Sequence, residues 1–142
     1  MIVYLDTSAV IPILIEESSS ETCWHLWADA DVRASSGLTY VEVAAALAMA
    51  ERQGRITSAE FDEAWNNFTD MWLEVVIIHL GDDLARKAAA LSRSESLRGY
   101  DAVHCASALE IDEAELVAAS GDVALLAAWH AQGVAVLDIN GH

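Results

Sequence analysis

The sequence predicts an α/β fold, a single domain with a mostly parallel five-stranded sheet and helices on both faces. Five short apolar segments alternate with segments of helical hydrophobic period, which is the pattern of successive βαβ units. The chain has 142 residues, of which 54% are hydrophobic and only one is proline. This length and composition suit one domain, residues 1–142, with a substantial core, and they exclude a disordered chain.

The five predicted strands are short apolar runs, the first of which (IVYL) ends directly at Asp6. They cover residues 2–5, 32–35, 74–80, 116–119 and 134–139. The seven predicted helices follow amphipathic or apolar stretches between these runs, at residues 8–16, 20–30, 39–52, 58–72, 82–94, 99–111 and 122–131. Gly54 ends the third helix, whereas Ser58 and Asp82 are predicted to cap the fourth and fifth.

Net charge and targeting signals restrict the binding partners and the cellular location that we expect. Seven Lys and Arg residues against 23 Asp and Glu residues give a net charge of −16, a field that repels nucleic acid and anionic membranes. The most apolar stretch, residues 115–137, contains Asp122 and His130, so we expect no membrane span. No secretory signal is visible, and we expect a cytoplasmic protein in which Cys23 and Cys105 are core residues.

Two acids follow predicted strands at the edge where α/β sheets bind ligands. Asp6 follows the first strand and Asp122 follows the fourth, so both carboxylates face one crevice if these strands are neighbours. The structural alternative for Asp122 is a helix N-cap, a role that Ser120 is able to share. Asp6 has the weaker alternative, because a carboxylate at the end of a wholly apolar strand needs a partner or a metal.

Glu42 and Asp101 are the other acids in unusual places. Glu42 interrupts a helix that is otherwise almost wholly apolar, but Thr39 and Glu42 also have the spacing of a capping box, and the two interpretations remain open. Asp101 lies in the first turn of an apolar helix, where it interacts with the helix dipole or pairs with Arg98. A cluster of carboxylates without histidine or cysteine ligands favours Mg²⁺ or Mn²⁺, which suits phosphodiester hydrolysis.

Four segments carry a resemblance to a known family. They are residues 2–9 (IVYLDTSA), Glu42 early in its helix, residues 97–108 (LRGYDAVHCASA) and residues 120–122 (SGD). In order and spacing these segments resemble those of PIN-domain proteins. Within that family the chain is most similar to the small VapC-type toxins of toxin–antitoxin pairs. The resemblance spans nearly the whole chain.

The resemblance implies a metal-dependent endoribonuclease that leaves a 5′-phosphate and a 3′-hydroxyl. Asp6, Glu42, Asp101 and Asp122 would surround Mg²⁺ or Mn²⁺, and Ser120 would lie in the same pocket and orient a ligand. The family setting further implies an RNA substrate, a homodimer and an inhibitory antitoxin protein. The alternative function is a catalytically weak PIN module that acts mainly by binding an antitoxin or RNA.

Two other enzyme classes are excluded because each requires a residue that this chain does not have at the necessary position. A haloacid-dehalogenase-like phosphatase needs a second acid two residues after the first aspartate, where this chain has Ser8, and a receiver domain needs a lysine after a late strand, but Lys87 is the only lysine. Candidate RNA contacts are Arg86, Arg93 and Arg98, although a solvated helix face explains this basic strip almost as well. His104 is interpreted as a polar position on a core helix.

Overall fold

A computed structural model describes all of residues 1–142 as one α/β domain. The strands are β1 (Ile2–Leu5), β2 (Val32–Ser36), β3 (Val75–Ile78), β4 (Leu116–Ser120) and β5 (Ala135–Asp138). They form one sheet in the order β3-β2-β1-β4-β5, and all four strand pairs are parallel. The predicted fold class is therefore confirmed, with a sheet that is wholly rather than mostly parallel.

Seven helices connect the strands. They are α1 (Thr7–Leu14), α2 (Ser20–Asp29), α3 (Leu38–Arg52), α4 (Ser58–Trp72), α5 (Asp82–Ser94), α6 (Gly99–Leu109) and α7 (Val123–Ala131). Because side chains alternate across a strand, the central strand β1 supplies both cores. Val3 and Leu5 pack with α1–α4 on one face, whereas Tyr4 packs with α5–α7 on the other. The sheet is thus covered by helices on both faces.

The order of the strands places the ligand-binding edge. The chain runs outward from β1 through β2 to β3, and then returns to place β4 on the other side of β1. Residues Ile2 to Leu5 of β1 pair in register with Leu116 to Ala119 of β4. The strand order reverses between β1 and β4, so the crevice beyond their carboxyl ends is the place where folds of this class bind ligands.

Two predicted helix caps are wrong by one residue. Thr57, not Ser58, caps α4, because its side chain accepts from the Glu60 amide while the Glu60 carboxylate accepts from the Thr57 amide. Ser58 lacks a glutamate at the matching position three residues later, so it cannot form this reciprocal pair. Asp82 lies inside α5 as its first residue, where its charge is favourable at the helix N-terminus.

The two cysteines that the sequence places in the core are buried, and so is Phe68 within an aromatic cluster. Phe68 of α4 is 1% exposed and its ring centroid lies 5.7 Å from that of Tyr40, in a cluster with Trp65 and Trp72. The thiols of both cysteines are free and buried, and burial raises the pKa of each to about 11. No helix in the chain combines the length and apolar character needed to cross a bilayer.

Candidate active site

Asp6 lies at the carboxyl end of β1, where it caps α1. Its side chain is 5% exposed and accepts hydrogen bonds from the hydroxyls of Ser8 at 2.6 Å and Ser120 at 2.7 Å, and from the Ala9 amide at 3.2 Å. Burial nevertheless raises the pKa of Asp6, since these donors only partly replace water around the charge. The fold therefore holds a desolvated carboxylate at the crevice between β1 and β4.

Ser120 joins Asp6 to the next acid along the crevice. Its hydroxyl is fully buried, donates to Asp6 Oδ2 and accepts from the Asp122 amide at 2.9 Å. Asp122 caps α7, because its Oδ1 accepts from the amides of Ala124 and Leu125. Ser120 thus orients two acids from within the protein, while the expected contact between Ser120 and a ligand stays a prediction.

Asp101 lies in the first turn of α6, and Arg98 is a cationic neighbour of both Asp101 and Asp122. Arg98 Nε donates to Asp101 Oδ2 at 3.3 Å, and Arg98 Nη2 lies 3.7 Å from Asp122 Oδ2. Burial and the charge of Asp122 raise the pKa of Asp101, and Arg98 opposes that shift. The guanidinium also stacks 4.8 Å from the centroid of the Tyr100 ring.

Glu42 lies on α3 and is not a helix cap. The helix begins after Gly37 without a side-chain cap, and the Thr39 hydroxyl pairs instead with Ser35 at 2.7 Å. The Glu42 carboxylate accepts from the Thr7 hydroxyl at 2.7 Å and contacts His104 Nε2 at 2.6 Å. Burial raises the pKa of Glu42, but the hydrogen bonds from His104 and Thr7 outweigh burial and lower it.

The four predicted acids line one pocket of about 390 Å³. One wall of this pocket is apolar, from Ile11, Ile15 and Met49, and Arg55 lies at its rim paired with Glu17 at 3.3 Å. Its acidic lining consists of Asp6, Glu17, Glu42, Asp101 and Asp122. Strands β1 and β4 are neighbours, which is the condition under which the sequence places Asp6 and Asp122 at one crevice.

The chemistry of this lining fits a hard divalent cation, because its charged donors are carboxylate oxygens. These side chains are not spaced as metal ligands in this structure, since no three Asp, Glu, His or Cys side chains of the chain lie close enough together to hold a metal ion. Arg98 lies beside Asp101 and Asp122, and internal donors hold Asp6 and Glu42. The four acids thus lie in one pocket, and each of them contacts a partner within the protein.

The other predicted basic residues lie elsewhere. Arg86 pairs with Asp83 at 3.1 Å, and Lys87 pairs with Glu110 at 2.8 Å, beside a separate depression at the end of β3. Arg93 is exposed near the end of α5. Only Arg98 of the predicted RNA contacts lies at the acidic pocket, so an RNA-binding role for Arg86 and Arg93 stays a prediction.

Sequence reasoning missed the part played by His104. This residue is 2% exposed, as a core position should be, but its ring contacts Glu42, 62 positions away. It also lines the pocket, as do Thr7 and Ser8. The one available signal was the spacing from Asp101, since residues three apart share a helix face.

Comparison with known proteins identifies the family of the chain. Residues 3–127 match the PIN domain family. The chain belongs to that family. It is 38% identical over 135 residues to the Mycobacterium tuberculosis protein called ribonuclease VapC45, which covers 95% of this chain and 94% of the relative.

Solved PIN-type structures share the fold. One is the sarcin-ricin loop cleaving toxin VapC20 of Mycobacterium tuberculosis, with 21% identity, a TM-score of 0.67 and coverage of 89% of this chain and 94% of that one. Another is a toxin–antitoxin complex from Klebsiella pneumoniae, with 18% identity, a TM-score of 0.61 and coverage of 84% and 86%. At such identities the likeness concerns the fold.

Proposed function

We propose that this PIN-domain protein is a metal-dependent endoribonuclease and the toxin of a toxin–antitoxin pair. The observation that carries the proposal is the convergence of Asp6, Glu42, Asp101 and Asp122 on one pocket at the switch point of the sheet. The relationship to a protein called a ribonuclease, at 38% identity over 95% of the chain, supports the same reaction class.

In this proposal the four acids hold Mg²⁺ or Mn²⁺. A cation bound there would supply positive charge to the phosphate and would lower the pKa of a nearby water. Ser120 and Ser8 hold the Asp6 carboxylate in place through its two oxygens, and the Asp122 carboxylate is fixed by the N-terminus of α7. The raised pKa values of Asp6 and Asp101 support a cation here, since positive charge offsets the cost of two partly desolvated carboxylates.

A net charge of −16 is compatible with an RNA substrate because contacts depend on nearby charge. At physiological salt the screening length is about 8 Å, so distant acids act weakly on a phosphate at the pocket. The Arg98 side chain is 68% exposed beside Asp101, and Arg55 lies at the opposite rim. We propose that Arg98 contacts the RNA backbone next to the scissile phosphate.

The proposal includes an antitoxin protein, a homodimer and a cytoplasmic location, where RNA is accessible. The structural likeness to a toxin–antitoxin complex supports the first of these. Val41 and Met49 expose 64% and 51% of their surface two turns apart on α3, and such an apolar stripe supports a protein contact on that helix. Light scattering of the purified chain, alone and with its antitoxin, measures both assemblies.

The deciding experiment compares two charge-neutralising substitutions in an RNA cleavage assay with Mn²⁺. Asp101→Asn keeps the shape of the side chain but removes a charge from the pocket, and Asp112→Asn makes the same change at an exposed position after α6. We expect Asp101→Asn to lower the cleavage rate at least about 100-fold, the scale of one electrostatic partner of a transition state. Asp112→Asn should cleave like wild type, and sequencing of the RNA ends should find 5′-phosphates.

The alternative is a catalytically weak PIN module that acts by binding an antitoxin or RNA. The ion pairs of Arg98 with Asp101 and Asp122 favour it, because they occupy two of the four acids. Under this alternative the wild type binds RNA or the antitoxin but cleaves no faster than Asp101→Asn at any Mn²⁺ concentration. That result would refute the nuclease proposal.

A further inference from the structure

A buried chain of hydrogen bonds connects the middle of the sheet to Glu42. Tyr4, in the central strand β1, places its hydroxyl 2.8 Å from His104 Nδ1, and His104 Nε2 lies 2.6 Å from Glu42 Oε1. Tyr4 is fully buried and His104 is 2% exposed, so the bond between them is shielded from water, whereas the Glu42 end of the chain is partly open to the pocket. Three elements, β1, α6 and α3, are thereby joined behind the pocket.

The direction of these bonds follows from the chemistry of the two ends. The Tyr4 side chain is a phenol, whose O–H group donates to His104 Nδ1 when the ring is neutral. A ring that accepts at Nδ1 carries its proton at Nε2, which donates to the Glu42 carboxylate. We assign this tautomer because it satisfies both ring nitrogens at once.

Both protein donors to Glu42 use the same oxygen. The Thr7 hydroxyl and His104 Nε2 contact Oε1 at 2.7 and 2.6 Å, whereas no protein donor reaches Oε2. A free glutamate side chain loses rotamer freedom when it is fixed, and this loss opposes binding unless the side chain is already held. The two donors hold the side chain in advance and leave one oxygen available to the pocket, which Glu42 lines.

We infer that His104 is a positioning residue for Glu42, and that Tyr4 fixes the orientation of the His104 ring. His104 does not contact the reacting groups in this arrangement, since it acts through the Glu42 carboxylate. The inference rests on the proposed metal-dependent function for its consequence, which is a tighter cation site. It applies the general rule that replacing a hydrogen-bond partner of a ligand side chain typically lowers metal affinity about 10- to 100-fold.

The test measures Mn²⁺ affinity by calorimetry, together with kcat and KM for RNA cleavage. His104→Leu fills similar space but cannot hydrogen bond, and we expect it to weaken Mn²⁺ binding about 10- to 100-fold. His104→Gln offers a donor for Glu42 and an acceptor for Tyr4, so it should restore most of that affinity. Tyr4→Phe removes one remote hydroxyl, and it should weaken Mn²⁺ binding severalfold while KM for RNA stays unchanged.

The decisive comparison repeats His104→Leu in a Glu42→Gln background. If His104 acts through Glu42, the second substitution changes Mn²⁺ affinity less than about twofold, because interacting residues are not additive. The control is Cys105→Ala, next to His104 and fully buried on the same helix. Cys105→Ala should lower the melting temperature and leave Mn²⁺ affinity unchanged.

Two results would overturn the inference. In one, His104→Leu behaves like Cys105→Ala, with lower stability and unchanged affinity, which is a purely structural role. In the other, His104→Leu is as damaging in the Glu42→Gln background as in wild type. If His104→Leu does not fold, His104→Gln and Tyr4→Phe carry the same comparison.

Nitrogen NMR of the His104 ring separates this inference from the proposed function. The assigned tautomer predicts a protonated Nε2, a signal that shifts in Glu42→Gln, and an Nδ1 signal that shifts in Tyr4→Phe. These shifts need no metal. A wild type that binds no Mn²⁺ but shows them refutes the metal site and retains the hydrogen-bonded chain, whereas an Nδ1-protonated ring refutes the chain itself.

Discussion

Replacing Ser120 by alanine tests how the crevice is held together. The Ser120 hydroxyl is fully buried, donates to Asp6 Oδ2 at 2.7 Å and accepts from the Asp122 amide at 2.9 Å. Ser120→Ala removes both bonds without removing any carbon atom of the core. It leaves a desolvated carboxylate with one donor fewer and a backbone amide without its acceptor.

The expected loss follows from these two bonds. A hydrogen bond to a charged group contributes about 1.5–3 kcal/mol, and together with the unpaired amide the total loss is about 2–4 kcal/mol. Unfolding entropy near 60 °C is about 2.1 cal/mol/K per residue, or about 0.3 kcal/mol/K for this chain. The melting temperature of Ser120→Ala should therefore fall by about 7–13 °C.

Circular dichroism melts in EDTA measure this loss without any contribution from metal. The matched control is Ser92→Ala on α5, because the Ser92 hydroxyl donates only to the Ala89 carbonyl of its own helix at 2.6 Å. That substitution should change the free energy of unfolding by less than about 0.5 kcal/mol. If Ser120→Ala melts within 2 °C of Ser92→Ala, to within about 0.6 kcal/mol, the two bonds do not hold the crevice.

Three further predictions concern charge. Millimolar Mn²⁺ should raise the melting temperature of the wild type, because the ion binds the folded chain better than the unfolded one, and Asp6→Asn should reduce that gain; an unchanged melt across the titration contradicts the metal site. Arg98→Ala should tighten Mn²⁺ binding about two- to fivefold, since it removes an exposed competing cation beside Asp101. The same substitution should slow RNA cleavage. Weaker Mn²⁺ binding in calorimetry would show that Arg98 does not compete with the ion. The double variant Arg86→Ala with Arg93→Ala should weaken RNA binding and flatten its log–log salt dependence by about 1.4 if both contact phosphates, with metal binding intact. Fluorescence anisotropy at several salt concentrations measures this slope, and an unchanged slope leaves both arginines as solvated residues.

The fold was predictable because each element carries its own signal. The run IVYL before Asp6 is short, apolar and uninterrupted. The hydrophobic period of each helix is visible within its own segment of the sequence. Errors were confined to ends, as at Thr57 and Ser58, where two neighbouring residues both suit an N-cap and only the reciprocal bond with Glu60 decides between them.

The candidate site was predictable only where chain position fixes geometry. Asp6 follows a central strand, so its place at the carboxyl edge follows from the fold. The two interpretations of Glu42 were indistinguishable because a capping box depends on local bonds that spacing permits but does not require. His104 was missed because its partner lies on another helix, and helical periodicity describes one element at a time.

The bond between Ser120 and Asp6 joins positions 114 apart, and this separation has a consequence for synthesis. While β4 is still unsynthesised or inside the ribosome, one edge of β1 has no neighbour, and Asp6 lacks the hydrogen bond from Ser120. A domain generally folds as a unit, so the crevice forms only after β4 has emerged. The four acids therefore come together in one pocket only after residues 116–122 have left the ribosome.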